Sequence, residues 1–238
     1  MRVDLLYLAK NRLEFTKESF SALLSNTDWN LVKSFYVYDD GSTDGTAEYL
    51  TDTIIANREI LPDKTVLRQT DFGSPVRITN DFVVQVDSPL LAKIDNDIVV
   101  PEKWLTRCVQ VMDGSPELQC LGIEAFYEIE PDVTVCRGWI RAIHTGGIGL
   151  FRRAPFEEVL PIAYGTYFGF GNWQQRGDGL MCGWIKPSLP VFLLDRLPFE
   201  PFRSLTLSYI EKGWQRDWGP YDSSQQDLWT WRFPNERG

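Results

Sequence analysis

The chain has 238 residues, of which 43% are hydrophobic and 24% charged, and its formal net charge at pH 7 is −9. This apolar content is normal for a folded protein, so the composition excludes a disordered or collagen-like chain. The excess of acidic residues disfavours general binding to nucleic acid or anionic lipid, because the summed field of the protein repels phosphate.

The cysteines, the histidine and the hydropathy indicate the compartment. The chain has 4 cysteines without a CxxC pair and 1 histidine, so neither a zinc cage nor a disulfide framework is predicted. No apolar run approaches the roughly 20 residues that span a bilayer, so no transmembrane segment is predicted. The N-terminal segment has an early acidic residue and a short apolar run, unlike a signal peptide. These features predict a cytoplasmic protein.

Short apolar runs alternate with amphipathic segments through the first hundred residues. The predicted strands are 3–9, 34–38, 65–67 and 90–94, and the predicted helices are 14–24, 43–56 and 76–86. This alternation predicts βαβ units and a mostly parallel sheet. Ligands bind such sheets at the carboxyl ends of the strands, so chemistry is expected in the loops after Tyr38 and Ile94.

The second half of the chain is less regular. A helix over about 101–112, with Pro101 in its first turn, precedes strands near 118–127 and 133–139 and a Gly-rich turn. We interpret residues 1–238 as a single α/β domain. Its parts are a nucleotide-binding half at about 1–100, an acceptor half at about 101–195 and a Trp-rich C-terminal extension at about 196–238.

Two adjacent carboxylates follow the second predicted strand, in the segment DDGSTDGT at 39–46. A turn that caps the next helix explains Ser42, Thr43 and Asp44. The capping turn does not explain why two adjacent carboxylates, Asp39 and Asp40, stand at the end of the strand. Carboxylates at this place can accept a hydrogen bond from a base N–H or a ribose hydroxyl.

An Asp-x-Asp pattern, Asp95-Asn96-Asp97, follows the fourth predicted strand. Hard divalent cations bind oxygen ligands and keep waters and substrate phosphates in their shell. Carboxylates at a rigid strand end therefore suit a Mn²⁺ or Mg²⁺ ion that bridges a diphosphate. A solvated Asp-Asn-Asp turn is the alternative interpretation.

In this order and spacing the two motifs resemble those of the family-2 nucleotide-sugar glycosyltransferases, and the resemblance covers roughly residues 3–195. It implies a GT-A (Rossmann-like) fold, with a mixed, mostly parallel central sheet flanked by helices. It also implies that Asp40 binds the nucleobase with Asp39 nearby, that Asp97 binds the metal, and that Asp95 binds the ribose or the metal. The implied nucleotide-binding residues are Ala9, Asn11, Arg12, Asp39, Asp40, Arg77, Asn80, Asp95 and Asn96.

The resemblance continues through TGGIGLFRR at 145–153, which looks like the family segment that lines the donor sugar and the acceptor. Gly146 and Gly147 permit close approach of the backbone to a substrate, and a glycine turn before a surface basic pair is the alternative. His144 is a candidate metal ligand or sugar contact, although a single histidine is more often structural. Trp173 offers a flat face for stacking on a sugar, or packs within the domain.

Asp178 matches the catalytic base of the family, with Gly177 where the family has Glu. An inverting transferase needs one carboxylate to take the proton from the acceptor hydroxyl. A helix N-cap is the competing explanation for Asp178. Lys10 replaces the family's aromatic residue near the base and leaves the identity of the nucleobase open.

The sequence therefore predicts an inverting, metal-dependent glycosyltransferase that moves one sugar from a nucleotide-diphosphate sugar to an acceptor hydroxyl. The acceptor classes are a glycan, a lipid-linked saccharide, a small molecule or a modified nucleic acid. A catalytically degenerate carbohydrate-binding or scaffold module is the alternative, supported only by Gly177. A sugar-nucleotide pyrophosphorylase is disfavoured, because the loop after the first strand, AKNRLEF, has no glycine.

Overall fold

The computed structural model describes residues 1–123, 135–142, 145–158, 160–162, 174, 180–186, 189–197 and 200–211. The first half contains β1 (Val3–Ala9), α1 (Leu13–Asn26), β2 (Val32–Asp39), α2 (Thr46–Ala56), β3 (Lys64–Gln69), α3 (Pro75–Gln85), β4 (Leu90–Asp95) and β5 (Ile98–Val99). The second half contains α4 (Trp104–Gly114), β6 (Cys120–Gly122), β7 (Val135–Cys136), β8 (Trp139–Ala142), β9 (Gly149–Arg152), α5 (Ala154–Glu157), β10 (Cys182–Ile185), β11 (Phe192–Leu193) and α6 (Phe202–Glu211).

Among these residues, nine strands form one sheet in the order β3-β2-β1-β4-β9-β6-β10-β8-β7. The first four of these are mutually parallel. β9 is antiparallel to both β4 and β6, and β8 is antiparallel to both β10 and β7. All strands except β9 and β8 thus run in one direction, since β6 and β10 are parallel. The predicted mixed, mostly parallel sheet is confirmed. A two-stranded antiparallel sheet of β5 and β11 lies apart.

The strand β1 lies between β2 and β4, and all of its residues are buried. Leu5 and Tyr7 belong to the main hydrophobic cluster on one face of the sheet, and Leu6 and Leu8 to a second cluster. A strand that is covered on both faces has a nearly continuous apolar sequence, because neither face meets water. This burial explains why the run VDLLYLA could be predicted as a strand.

The helix α2 begins at Thr46, three residues later than predicted. A helix over 43–56 would contain Asp44 in its first turn, but Asp44 stands just before the helix. Its Oδ1 accepts hydrogen bonds from the backbone N–H of Thr46 (3.2 Å) and from the Thr46 hydroxyl (2.7 Å). Gly45 precedes the helix with a φ of 92°. The turn chemistry was therefore predicted, but its position relative to the helix was wrong.

The helix α4 begins at Trp104, so the prediction that Pro101 occupies its first turn is wrong. Lys103, with a φ of 58°, takes the left-handed conformation and separates the proline from the helix. Of the strands predicted near 118–127 and 133–139, the described residues contain β6 and the β7–β8 hairpin. The single strand predicted near 133–139 is wrong, because the chain reverses direction at Gly138, whose φ is 89°.

No helix within the described ranges is long and apolar enough to cross a membrane. The division into a nucleotide-binding half, an acceptor half and a C-terminal extension stays a prediction.

Candidate active site

Asn11 ties together the loops that follow β1, β2 and β4. Its backbone N–H donates to Ser42 Oγ (2.7 Å), and its side-chain Oδ1 accepts from the backbone N–H of Thr43 (2.8 Å). Its backbone oxygen accepts from Asn96 Nδ2 (2.8 Å). The φ of Asn11 is 52°, a region that Asn adopts more readily than most residues. The two acidic motifs are therefore held at one edge of the sheet.

Asp40 is oriented by the loop that follows β3. Its Oδ1 accepts hydrogen bonds from the backbone N–H groups of Phe72 (2.7 Å) and Gly73 (3.2 Å) and from the hydroxyl of Thr70 (3.3 Å). Its Oδ2 lies 3.4 Å from Nζ of Lys10, a side chain that is 48% exposed. Asp40 Oδ1 is thus hydrogen-bonded within the protein, and Asp40 Oδ2 faces a lysine at the surface.

Asp39 is buried as well, with 2% of its surface exposed. Its Oδ2 accepts a hydrogen bond from the backbone N–H of Ser42 (3.1 Å), and its Oδ1 has no partner among the described residues. Ala9 lies beside it in register and accepts a backbone hydrogen bond from Asp40 (2.9 Å). Folded proteins keep few buried polar atoms without partners, and binding or catalysis is one reason for keeping them.

Arg12 binds the Asp-x-Asp segment directly. Its Nη1 lies 3.0 Å from Asp97 Oδ2, and its Nη2 lies 2.6 Å from Asn96 Oδ1. Asn96 in turn donates to the hydroxyl of Thr16 (2.9 Å), and the guanidinium lies 5.8 Å from the centroid of the Phe15 ring. Arg12 was predicted to bind the nucleotide, but its pairing with Asp97 was not predicted.

Lys93 and Asp95 form a second ion pair, on one face of β4. Residues two apart on a strand share a face, which brings the two charges together. Both side chains are buried. Burial raises the pKa of Asp95, and the nearby Lys93 cation opposes that rise. The sequence analysis did not predict a role for Lys93. A lysine inside an apolar strand, two residues before an acid, is the sequence feature that indicates such an ion pair.

The backbone around the Asp-x-Asp segment is fixed from two sides. The hydroxyl of Ser19, on α1, donates to the backbone oxygens of Asp95 (3.2 Å) and Ile98 (2.7 Å). The backbone N–H of Leu194, directly after β11, donates to the backbone oxygen of Asp97 (2.8 Å). A carboxylate carried by such a restrained loop has a defined direction.

Asn80 and Arg77, on α3, contact other parts of the protein. The side-chain amide of Asn80 donates to the backbone oxygen of Ile162 (2.9 Å) and accepts from the backbone N–H of Ile162 (3.0 Å). These two hydrogen bonds explain the burial of Asn80 without invoking a bound ligand. Arg77 lies beside the loop that holds Asp40, since its Nη1 is 3.4 Å from the backbone oxygen of Phe72. Contacts of Asn80 and Arg77 with a donor stay predictions.

The Gly-Gly segment precedes β9. Gly146 has a φ of 62°, a left-handed conformation that favours glycine. A Cβ at this position would meet nothing within 4 Å, so lack of space is not the reason for glycine. Its oxygen accepts from Gln174 Nε2 (2.9 Å), whose Oε1 accepts from the N–H of Thr145 (2.7 Å). Gly147 is partly exposed. Three further candidates lie outside the described residues: Asp178, His144 and Trp173.

Comparison with protein families gives a match to Glycosyl transferase family 2 over residues 7–160, more than half of the 238 residues. The chain belongs to this family. Comparison with curated protein sequences gives no match.

Solved structures of Staphylococcus aureus TarS resemble this family-2 chain. One TarS structure has a TM-score of 0.59 and 13% identity, and the match covers 79% of this chain and 36% of TarS. The structure of TarS 1–349 has a TM-score of 0.60 and 14% identity, over 100% of this chain and 73% of that one. At such identity the likeness shows the fold. The chain spans about a third of the first of these proteins.

Proposed function

We propose that this family-2 chain is an inverting, metal-dependent glycosyltransferase that transfers one sugar from a nucleotide-diphosphate sugar to an acceptor hydroxyl. The observation that carries the proposal is the joining of the two acidic motifs at one sheet edge through Asn11. Asp40 stands at the end of β2 and Asp97 after β4, on the two sides of β1. A nucleotide diphosphate bound across this edge meets Asp40 with its base and Asp97 with its phosphates.

We propose a uridine-diphosphate sugar as the donor. Asp40 Oδ1 is bound by the protein, so Oδ2 is the oxygen left for a base, with the Lys10 ammonium beside it. Uracil presents one N–H between two carbonyl oxygens, which suits one acceptor oxygen next to one cationic donor. Guanine presents two adjacent N–H groups to a single acceptor oxygen, so one of them would be buried without a hydrogen bond. TarS 1–349 has been crystallised with UDP and with UDP-GlcNAc.

Asp97 and Asp95 are the residues that would hold Mn²⁺ or Mg²⁺. One oxygen of each carboxylate is in an ion pair, with Arg12 and Lys93 respectively, and the other accepts no hydrogen bond from the described residues. Hard cations prefer carboxylate oxygens and complete their shell with water and phosphate oxygens, so these residues fit the ion. When bound, it supplies positive charge to the departing diphosphate. His144 stays a predicted third ligand.

We assign the proton transfer to Asp178. In an inverting transfer the acceptor oxygen attacks the anomeric carbon, the bond from that carbon to the diphosphate oxygen breaks, and a carboxylate takes the acceptor's proton. Asp178 is supported by its match to the family's base, and Gly177 stands where the family has Glu. Transfer by Asp178→Asn is expected to be lost while donor binding is retained.

The acceptor is a hydroxyl of a glycan, a lipid-linked saccharide, a small molecule or a modified nucleic acid. The net charge of −9 disfavours the last of these, since the protein repels phosphate. We propose that Gly146, Gly147 and Trp173 line the sugar and acceptor, and that the reaction takes place in the cytoplasm.

A donor panel tests the proposal. The protein is incubated with nucleotide-diphosphate sugars and mixed acceptor saccharides, with Mn²⁺ or with EDTA, and nucleotide release and transferred mass are measured. Turnover of a UDP-sugar with Mn²⁺ is expected, and its loss in EDTA and in Asp97→Asn. The matched control is Asp87→Asn, which removes an exposed acid at the opposite end of the strands. Turnover that is unaffected by EDTA would contradict the metal dependence.

A degenerate carbohydrate-binding or scaffold module is the second candidate, and Gly177 in place of the family's Glu favours it. Such a module would bind a donor or a saccharide and turn over none of the panel. Binding without turnover across all donors and acceptors would therefore favour this second function over the first.

A further inference from the structure

We propose that Arg12 makes divalent-metal binding at Asp97 conditional on a bound diphosphate. The inference rests on the proposed function, because it concerns the same edge of the sheet. Toward the metal, Arg12 acts through Asp97 and is a positioning residue and not a ligand. Its effect is on the affinity of the site for the metal with and without a bound diphosphate.

The ion pair between Arg12 and Asp97 is buried. The two side chains are only 10% and 11% exposed, and Nη1 lies 3.0 Å from Oδ2. The other arm of the guanidinium binds Asn96, and the Arg12 backbone oxygen accepts from the N–H of Thr16 at 2.9 Å. Solvent and salt screen a buried pair far less than a surface pair. A metal ion that approaches Asp97 therefore meets a carboxylate whose charge is already matched.

Within the described part of the chain, the Asp-x-Asp segment carries two ion pairs whose charges balance. Asp95 is paired with Lys93 in the same way as Asp97 is paired with Arg12, and the four formal charges sum to zero. Two unpaired carboxylates would attract a divalent cation by Coulomb energy from both sides. Here the two neighbouring cations cancel that attraction, so the segment alone is a weak site.

A bound diphosphate changes this balance. It brings negative charge and oxygen ligands, which Mn²⁺ and Mg²⁺ use together with one or two protein carboxylates. The guanidinium of Arg12 has five N–H donors, whose fork suits phosphate as well as carboxylate oxygens. Arg12 can then share its charge between Asp97 and the diphosphate. Metal and nucleotide are thus expected to bind together, each strengthening the other.

Mn²⁺ binding measured by electron paramagnetic resonance tests this inference, with Mn²⁺ alone and with saturating UDP, corrected for Mn²⁺ held by UDP in solution. The wild type is expected to bind Mn²⁺ at least about tenfold more tightly with UDP than alone. Arg12→Gln is expected to bind Mn²⁺ alone at least about tenfold more tightly than the wild type does. Arg12→Lys keeps the charge and is expected to need UDP as the wild type does.

Lys33→Gln is the matched control, because it removes one cation at the opposite end of β2 and is expected to leave Mn²⁺ binding unchanged. An Arg12→Gln protein that binds Mn²⁺ alone no more tightly than the wild type overturns the inference. If Arg12→Gln does not fold, equal Mn²⁺ affinity of the wild type with and without UDP overturns it. A wild type that binds no Mn²⁺ even with UDP contradicts the proposed function instead.

Discussion

The side-chain amide of Asn96 donates to the backbone oxygen of Asn11 over 2.8 Å, which joins the residue after β4 to the loop after β1. Asn11 also bonds to Ser42 and Thr43, in the loop after β2. One residue in a left-handed conformation therefore sets the spacing between the acids at the two strand ends.

Asn11→Ala is expected to lower both stability and UDP affinity. The change removes the acceptor for the Thr43 N–H, worth about 1 kcal/mol, and places alanine in the left-handed region at a cost of about 1–2 kcal/mol. Asn11→Gly relieves the backbone cost but not the lost hydrogen bond, so it separates the two contributions. Denaturant unfolding and UDP titration measure both effects. An Asn11→Ala protein with wild-type stability would show that the loops hold their spacing without Asn11.

Lys10→Met is expected to weaken UDP binding several-fold and to leave stability nearly unchanged. The Lys10 side chain is 48% exposed and lies 3.4 Å from the buried Asp40. Asp40 keeps its three hydrogen bonds from Thr70, Phe72 and Gly73 in the variant, so a loss of no more than about 1 kcal/mol is expected. Lys10→Arg keeps the cation and serves as the control. Titration with UDP and GDP measures the effect and the preference for uracil together. Equal UDP affinity in Lys10→Met would remove Lys10 from base recognition.

The parallel half of the fold could be predicted because its strands are long and buried on both faces, which leaves a continuous apolar run such as that of β1. The end of each run also gave the place of the two acidic motifs. The later strands were harder. β6, β8 and β9 have three or four residues each, too few to show a period, and they pair with segments distant in the sequence.

The partners of the acidic residues could not be predicted from the sequence. Arg12 and Asp97 are far apart along the chain, and only folding brings the guanidinium against that carboxylate. Lys93 lies two residues before Asp95, which places it on the same face of a strand, but this spacing does not by itself distinguish a buried ion pair from two charges at a sheet edge. Whether an acid faces a ligand or a protein cation is decided by packing, which a motif does not record.

Gly149→Ala is expected to destabilise the protein by about 3 kcal/mol or more, because the new Cβ has no room. It would lie 2.1 Å from the backbone oxygen of Leu121 on the neighbouring strand, and the φ of Gly149 is 137°. Gly114→Ala is the matched control. A Cβ at Gly114, the last residue of α4, meets nothing within 4 Å, so a change of no more than about 0.5 kcal/mol is expected. Equal melting temperatures for the two variants would contradict this packing.

Arg152→Gln is expected to cost about 2–3 kcal/mol of unfolding free energy. Its Nε donates to the backbone oxygen of Leu118 (2.7 Å), and its Nη2 donates to those of Met112 (2.7 Å) and Ser115 (3.1 Å). These bonds satisfy backbone oxygens at and beyond the end of α4, so Arg152 is not part of a surface basic pair.

Arg153→Gln gives the control for Arg152, since it removes the same charge from the next residue. The Arg153 side chain is 20% exposed, and its Nε pairs with Glu157, which is 55% exposed. Its buried Nη1 has no hydrogen-bond partner among the described residues, so a loss of no more than about 1 kcal/mol is expected. Denaturant unfolding measures both variants. A larger loss in Arg153→Gln than in Arg152→Gln would contradict the structural role given to Arg152.

The most direct test of the account is a calorimetric titration of UDP with Mn²⁺ into the wild type, Asp97→Asn and Asp87→Asn. The account predicts that the wild type and Asp87→Asn bind UDP alike. It predicts that Asp97→Asn binds UDP at least about tenfold more weakly, because the metal ion that Asp97 would hold loses a carboxylate ligand. A wild type that does not bind UDP, or an Asp97→Asn protein that binds it as tightly as the wild type does, would contradict the claim that this edge of the sheet is the donor site.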